Sequence, residues 1–184
     1  MELQDALEGR RSVRRYTDYF VTDAEIKEIL EAARIAPSWA NTQVWEFVVV
    51  RDQDRIEKVV SAFSDKNPAT KGALAASALI VACAKTGASG CYDGKELTKH
   101  KEWFMFDLGM AVQNLCLKAC ELDLGTVVVG LMDHDHCKQI IGLPDGYEVV
   151  AVIPVGRPAA KREAPPRKDL KSFVHCNTFG TAFL

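Results

Sequence analysis

Apolar residues first fall into a helical rhythm at Ile26, Ile29, Leu30 and Ala33, directly behind the string Thr22-Asp23-Ala24-Glu25. A threonine with a glutamate three residues on is a capping box, so the pattern predicts a helix opening at Thr22. Pro37 disfavours helical geometry in the residue before it and stops that helix at Ala36. A shorter helix is expected over 2–8, closed by Gly9. Residues 45–50, Trp-Glu-Phe-Val-Val-Val, are aromatic and β-branched and predict a strand. A helix follows over 52–63, then a loop or helix start over 67–72. The apolar run 73–84 is broken by Ser77 and reads as a buried strand, 79–84, with its lead-in.

Three glycines lie within 86–94, which predicts a mobile loop. The longest helix is expected over 97–122, with Phe104, Leu108, Ala111, Val112, Leu115, Ala119 and Leu122 along one face and Gly125 closing it. So long a stripe suits a helix buried at the domain centre or in a dimer interface. A short strand over 126–129, a helix over 133–141 capped by Asp133, a turn at Asp145-Gly146 and a strand over 147–155 complete the pattern. Helices and strands mix without regular alternation, which predicts an α+β fold: a central, mostly antiparallel sheet flanked by helices. One domain is expected over 1–156. Residues 157–184 are rich in proline and charge and have no core of their own, so they are expected to lie on another surface.

Composition narrows the function classes. With 48% hydrophobic and 26% charged residues the chain is that of a folded globular protein. Its net charge of -2 offers no general attraction for nucleic acid or an anionic membrane surface, so an anion site must come from a local cluster. The polar start, Met1 to Arg10, has no apolar core of a signal peptide, and no run is long enough to span a bilayer. A cytoplasmic location is expected. The cysteines at 83, 91, 116, 120, 137 and 176 form no C-x-x-C pair and read as small buried hydrophobes in a reducing compartment. His134-Asp135-His136-Cys137 reads as a helix start, and no metal site is expected.

Two segments carry candidate chemistry. Arg10-Arg11-Ser12-Val13-Arg14-Arg15 packs four arginines and a serine into one short stretch. Arginine holds phosphate through paired donors, and Ser12 adds a hydroxyl. From the residues alone the cluster is either an anion site or a solvated basic turn. No P-loop and no G-x-G-x-x-G fingerprint occurs. The second segment, residues 36–45, places Ser38, Asn41 and Gln43 between Trp39 and Trp45. Aromatic faces interleaved with amides suit a flat heteroaromatic ligand, and they equally suit a hydrogen-bonded turn with Trp45 in the core.

These segments, in order, resemble the N-terminal signature of the nitroreductase family. The resemblance continues through Asp107-Leu108-Gly109-Met110-Ala111-Val112-Gln113-Asn114-Leu115, Gly125-Thr126-Val127-Val128-Val129-Gly130, Pro154-Val155-Gly156-Arg157-Pro158 and Pro166-Arg167-Lys168. It implies FMN as cofactor, NADH or NADPH as electron donor, and a homodimer with flavin at the interface. By that resemblance Arg10 and Ser12 hold the FMN phosphate, with Arg11 contributing backbone. Arg14 stands by the ribityl chain and the N1–C2=O edge, and Arg167 closes over the phosphate. Val128, Val129 and Gly130 approach N5 through their backbone. Pro37, Ser38 and Trp39 arrive from the partner subunit, while Asn67 and Lys71 stand near the pyrimidine edge.

The implied reaction is a ping-pong transfer of hydride from NAD(P)H through flavin N5 to a small acceptor: a nitro compound, a quinone or an enone. A fixed cation, Arg14 or Lys71, would stabilise the negative charge that reduction builds at N1–C2=O. No side chain is needed as a nucleophile. Two positions depart from the family pattern: Trp39 replaces a small residue and would narrow the substrate pocket or stack over the ligand, and Val44 replaces proline. Between 85 and 98 no substrate-domain insertion is evident. Two alternatives stay open, a flavin-binding carrier or sensor without turnover, and a phosphate- or nucleotide-binding module without flavin.

Overall fold

The structure is a computed structural model that describes residues 1–160 and 163–183. Helix α1, Leu3–Gly9, is followed by α2, Asp23–Arg34. The capping box at the start of α2 is fully formed: the Thr22 hydroxyl accepts from Glu25 N–H, and the Glu25 carboxylate accepts from Thr22 N–H. Strand β1, Trp45–Val50, has the bounds the sequence predicts. Helix α3, Gln53–Ser61, is capped by Asp52, and the short α4 spans Thr70–Leu74. Strand β2, Ala78–Lys85, leads to a small hairpin of β3, Cys91–Tyr92, and β4, Lys95–Glu96. Helix α5, Phe104–Glu121, precedes β5, Gly125–Thr126. Helix α6, His134–Ile141, capped by Asp133 as predicted, precedes β6, Tyr147–Gly156.

The main sheet has the order β1-β2-β6-β5, and every neighbouring pair is antiparallel. Seven of the eight residues of β2 are buried, because helices cover both faces of the sheet. Alternation along a strand sends Ala78, Ile80, Ala82 and Ala84 to the side of α2 and α5, where Ile29, Leu108, Leu115 and Ile153 lie. Leu79, Val81 and Cys83 turn to the opposite side, against Ile56, Val59, Val129 and Cys137. The chain is thus a three-layer α+β sandwich around an antiparallel sheet, as the pattern predicts.

Two element bounds differ from expectation. Helix α5 begins at Phe104, not near residue 97. Between them Thr98-Lys99-His100-Lys101-Glu102 offers nothing apolar to bury, and Leu97 N–H instead donates to Gly90 O at 2.8 Å, closing the hairpin. The strand expected over 126–129 is shorter. Ladder pairing stops at Thr126, and only Val129 returns to the sheet, exchanging two 2.9 Å bonds with Val152. No helix among the described residues is long and apolar enough to cross a membrane.

Candidate functional site

The arginine-rich segment is an added edge of the sheet. Ser12 pairs parallel with Thr126, Val13 N–H donates to Thr126 O at 2.8 Å, and Tyr16 pairs with Pro158. Tyr16 anchors it: its hydroxyl lies 2.8 Å from Val13 O and 3.2 Å from Pro154 O, and burial pushes the phenol well above its ordinary value. At Gly156 a Cβ would stand 2.8 Å from the Tyr16 ring, so glycine is what lets the ring lie flat on the sheet edge.

Anchoring divides the cluster between two cavities. Arg10 and Arg11 line one of about 370 Å³ with Cys116, Cys120 and Thr126. Burial raises the Cys116 and Cys120 thiols above their ordinary value even though Arg10 pulls each of them down. Neither is therefore set up as a thiolate nucleophile. Arg14 and Arg15 line the second cavity, about 730 Å³, with Tyr16, Pro68, Lys71, Gly72 and Ala75. A Cβ at Gly72 would collide with the Arg14 carbonyl, so the close approach of α4 to this segment is what sets Lys71 beside Arg14.

The second cavity is lined by three cations and no carboxylate. The Nε atoms of Arg14 and Arg11 are buried without a hydrogen-bond partner. Buried donors left open in this way are set for an acceptor from outside the chain. A mononucleotide fits: its anionic and carbonyl oxygens can meet the guanidinium groups, and its ring has the apolar floor of Pro68, Gly72 and Ala75.

Other predicted site residues are placed elsewhere. Asn67 is buried, and its amide is engaged by backbone: Nδ2 donates to Leu131 O at 2.8 Å and Oδ1 accepts from Ala69 N–H at 2.9 Å. It holds the 64–69 loop to Leu131. Val128 is 51% exposed and Gly130 is also exposed, whereas the Val129 side chain is in the core. The Gly130 carbonyl lies 3.1 Å from His134 Nε2, and Nδ1 of the same ring lies 2.9 Å from Val149 O. The His134 ring thus lies between the Gly130 carbonyl and β6, where a neutral imidazole donates to one of the two, a placement its reading as a helix start did not include. Arg167 is exposed and donates to Pro165 O at 3.0 Å.

Pro37 lines a third, open cavity of about 500 Å³ with Met105, Phe106, Gly109, Met110 and Gln113. The loop after it is tightly wound: Ser38 Oγ accepts from Gln43 N–H at 2.9 Å, and Gln43 Nε2 donates to Asn41 Oδ1 at 3.2 Å. Asn41 and Gln43, expected to read a ligand edge, read each other here. Trp39 N–H donates to the Asp107 carboxylate, a buried group the sequence reading passed over. Its signal was available, since Asp107 falls within the apolar stripe of α5, where a surface carboxylate has no place.

A single chain therefore does not gather the expected residues into one pocket. It presents a cation-lined half-site at Arg14 and Lys71, a neighbouring basic cavity at Arg10, and an apolar face at Pro37 and Phe106.

Comparison with known proteins identifies the family. The family model described as "Nitroreductase family" matches residues 7–157. The chain belongs to the nitroreductase family. It is 32% identical over 159 residues to an Archaeoglobus fulgidus protein with the provisional name NADH dehydrogenase/NAD(P)H nitroreductase, covering 84% of each chain. It is 27% identical to a Bacillus subtilis FMN reductase [NAD(P)H], covering 97% of this chain and 74% of that one. Among solved structures, a provisional nitroreductase from Desulfovibrio desulfuricans in complex with FMN superposes with a TM-score of 0.77 at 26% identity, covering 97% of this chain and 98% of the other.

Proposed function

We propose that this nitroreductase-family chain works as a homodimer that passes reducing equivalents from NAD(P)H to a small acceptor at an FMN held between subunits. The chain is an NAD(P)H-dependent flavin oxidoreductase, and FMN is its cofactor. The observation that carries the site assignment is the cation-lined cavity at Arg14, Arg15 and Lys71 with its open Arg14 Nε.

Bound FMN would supply the redox chemistry, hydride transfer from the nicotinamide to a nitro compound, quinone or enone in a ping-pong cycle. The residues supply position and charge. Arg14 and Lys71 hold the electron-rich edge of the ring, and their fixed positive charge favours the reduced state. Arg10, Arg11 and Ser12 bind the phosphate, with Arg167 closing over it. The Val128, Val129 and Gly130 backbone lines the ring, with His134 beside the Gly130 carbonyl. No side chain is required as a nucleophile at the ring.

Dimerisation is supported by what the single chain leaves uncovered. Phe106, Met105 and Ile35 stand exposed on the side of α2 and α5 away from the sheet, Ile35 at 70%. Phe173 and Phe179 are exposed in the tail, Phe179 at 93%. A second copy covers both in this reading, bringing Pro37, Ser38 and Trp39 to the flavin and giving residues 157–184 a surface to lie on. Six free thiols suit a reducing cytoplasm.

Purified chain titrated with FMN and with FAD tests the site. FMN is expected to bind tightly and FAD weakly, and a chain that takes up neither overturns the assignment.

A further inference from the structure

Asp107 is 0% exposed, within the apolar stripe of α5. Its carboxylate accepts from two donors, one of them shared between both oxygens. Trp39 N–H reaches Oδ1 at 3.1 Å and Oδ2 at 3.2 Å, and Ser89 Oγ–H reaches Oδ2 at 2.6 Å. No cation pairs with it among the described residues. Burying a carboxylate is costly unless its lone pairs are satisfied. Helix packing alone would be met here by an apolar side chain, as it is at Phe104, Leu108 and Ala111. The carboxylate is explained by what it joins.

It joins two loops. One is 38–43, in which Ala40, Asn41 and Gln43 have φ of 45°, 56° and 46°. Left-handed backbone at non-glycine residues persists only where the surroundings hold it. Asp107 on Trp39 N–H anchors one end and Ser38 Oγ on Gln43 N–H the other, with the Gln43–Asn41 bond and backbone turns between them. The second loop is 86–90. Ser89 is followed by Gly90, whose carbonyl accepts from Leu97 N–H at the base of the β3–β4 hairpin. A single buried carboxylate thus fixes the spacing between the Trp39 loop and the hairpin that exposes Tyr92.

We propose that Asp107 is a positioning residue that sets acceptor specificity, by fixing where Trp39 stands at the proposed flavin site relative to the β3–β4 hairpin. This rests on the flavin site proposed above, in which the Trp39 loop faces the ring. Asp107 touches neither flavin nor acceptor. Its effect passes through the Trp39 backbone and the Ser89 hydroxyl.

Three variants test it, Asp107→Leu, Asp107→Asn and Ser89→Ala. Leucine suits the apolar stripe but accepts no hydrogen bond. Asparagine keeps a carbonyl for Trp39 N–H and can donate its amide to Ser89 Oγ, so it is the conservative rescue. The first readout is amide hydrogen exchange on the flavin-free chain. Asp107→Leu is expected to speed exchange in both 38–43 and 86–90, and Asp107→Asn to restore protection. The second is kcat and KM for a compact and a bulky quinone on FMN-loaded protein. Asp107→Leu is expected to change the ratio of the two kcat/KM values at least about tenfold, since small misplacements of a positioning element carry large rate effects. Arg10, Arg14 and Lys71 are untouched, so Asp107→Leu is expected still to bind FMN and to be reduced by NAD(P)H, and the effect is read in the ratio between the two quinones.

Should Asp107→Leu fail to fold, Ser89→Ala, which removes one hydroxyl, is expected to loosen 86–90 and shift the ratio in the same direction. An unchanged ratio and unchanged exchange in a folded Asp107→Leu, or in Ser89→Ala where leucine does not fold, overturn the proposal while leaving the flavin site standing. Wild-type chain that binds no FMN overturns the flavin site itself, and the exchange experiment then still reports whether Asp107 ties the two loops.

Discussion

Replacing Arg10 by alanine is expected to weaken FMN binding about ten- to a hundredfold. Arg10 lines the basic cavity and forms no ion pair among the described residues, so its charge is free for a ligand. Its structural duties belong to the backbone. Arg10 N–H caps α1 by donating to Ala6 O, and Arg10 O accepts from Arg11 NH1 at 2.8 Å. Both survive in alanine, so folding stability should hardly move. A charge-assisted hydrogen bond contributes about 1.5–3 kcal/mol, which is the affinity range stated. Arg34→Ala is the control. Arg34 is exposed and paired with Glu31 at 2.6 Å, a surface pair worth at most about 1 kcal/mol of stability and nothing in FMN affinity. The assay is quenching of flavin fluorescence on titration of each variant at fixed ionic strength, with thermal unfolding run alongside. Equal dissociation constants for the two variants would remove Arg10 from the site, and a large loss of stability in Arg10→Ala would refute the division between its side chain and backbone.

Thr22→Ala removes the side-chain half of the capping box and should cost about 1 kcal/mol, seen as a lower urea midpoint with an unchanged slope. Burial pushes the Cys83 thiol from 9.0 up to about 12 and the Cys137 thiol up to about 11. In the unfolded chain these thiols ionise near pH 9 while the folded chain keeps them protonated, so stability is fully present below pH 9 and falls as pH rises from there towards about 12 for Cys83. Cys83→Ala should flatten the decline between pH 9 and 10.5, and an equally steep loss would contradict the assignment. A chain ending after Pro158 should lose FMN affinity and dimerise more weakly by sedimentation, since in the proposed dimer the tail lies on the partner. Full flavin affinity in the shortened chain would rule that role out.

Much of the fold was legible because local chemistry and tertiary need agree. The Thr22–Glu25 box, the Trp45–Val50 strand and the Asp133 cap each state their element in a few residues. The start of α5 was misread because Leu97 lies at a helical distance from Phe104, yet the polar run Thr98 to Glu102 leaves no face to bury, and a backbone bond to Gly90 competes for Leu97. At the site, the arginine cluster was legible as an anion trap, but its division between two cavities depends on Tyr16 locking to the sheet edge, a contact between residues far apart in sequence. Asn67 looked like a ligand contact, whereas Asn67-Pro68 is a local turn whose amide satisfies the Ala69 and Leu131 backbone. Asp107 stands out in the sequence as a carboxylate in the α5 stripe, but its partners, Trp39 and Ser89, are brought to it only by folding.

The most direct test of the central claim is anaerobic mixing of FMN-loaded protein with NADH or NADPH, followed by a quinone, with absorbance read across the flavin band. Bleaching on the first addition and recovery of colour on the second are expected, with each half-reaction occurring in the absence of the other substrate. A flavin that stays oxidised with both nicotinamides, or that is reduced and then not reoxidised by any of a quinone, an enone and a nitroaromatic, would contradict the account and leave a protein that binds flavin without turning it over.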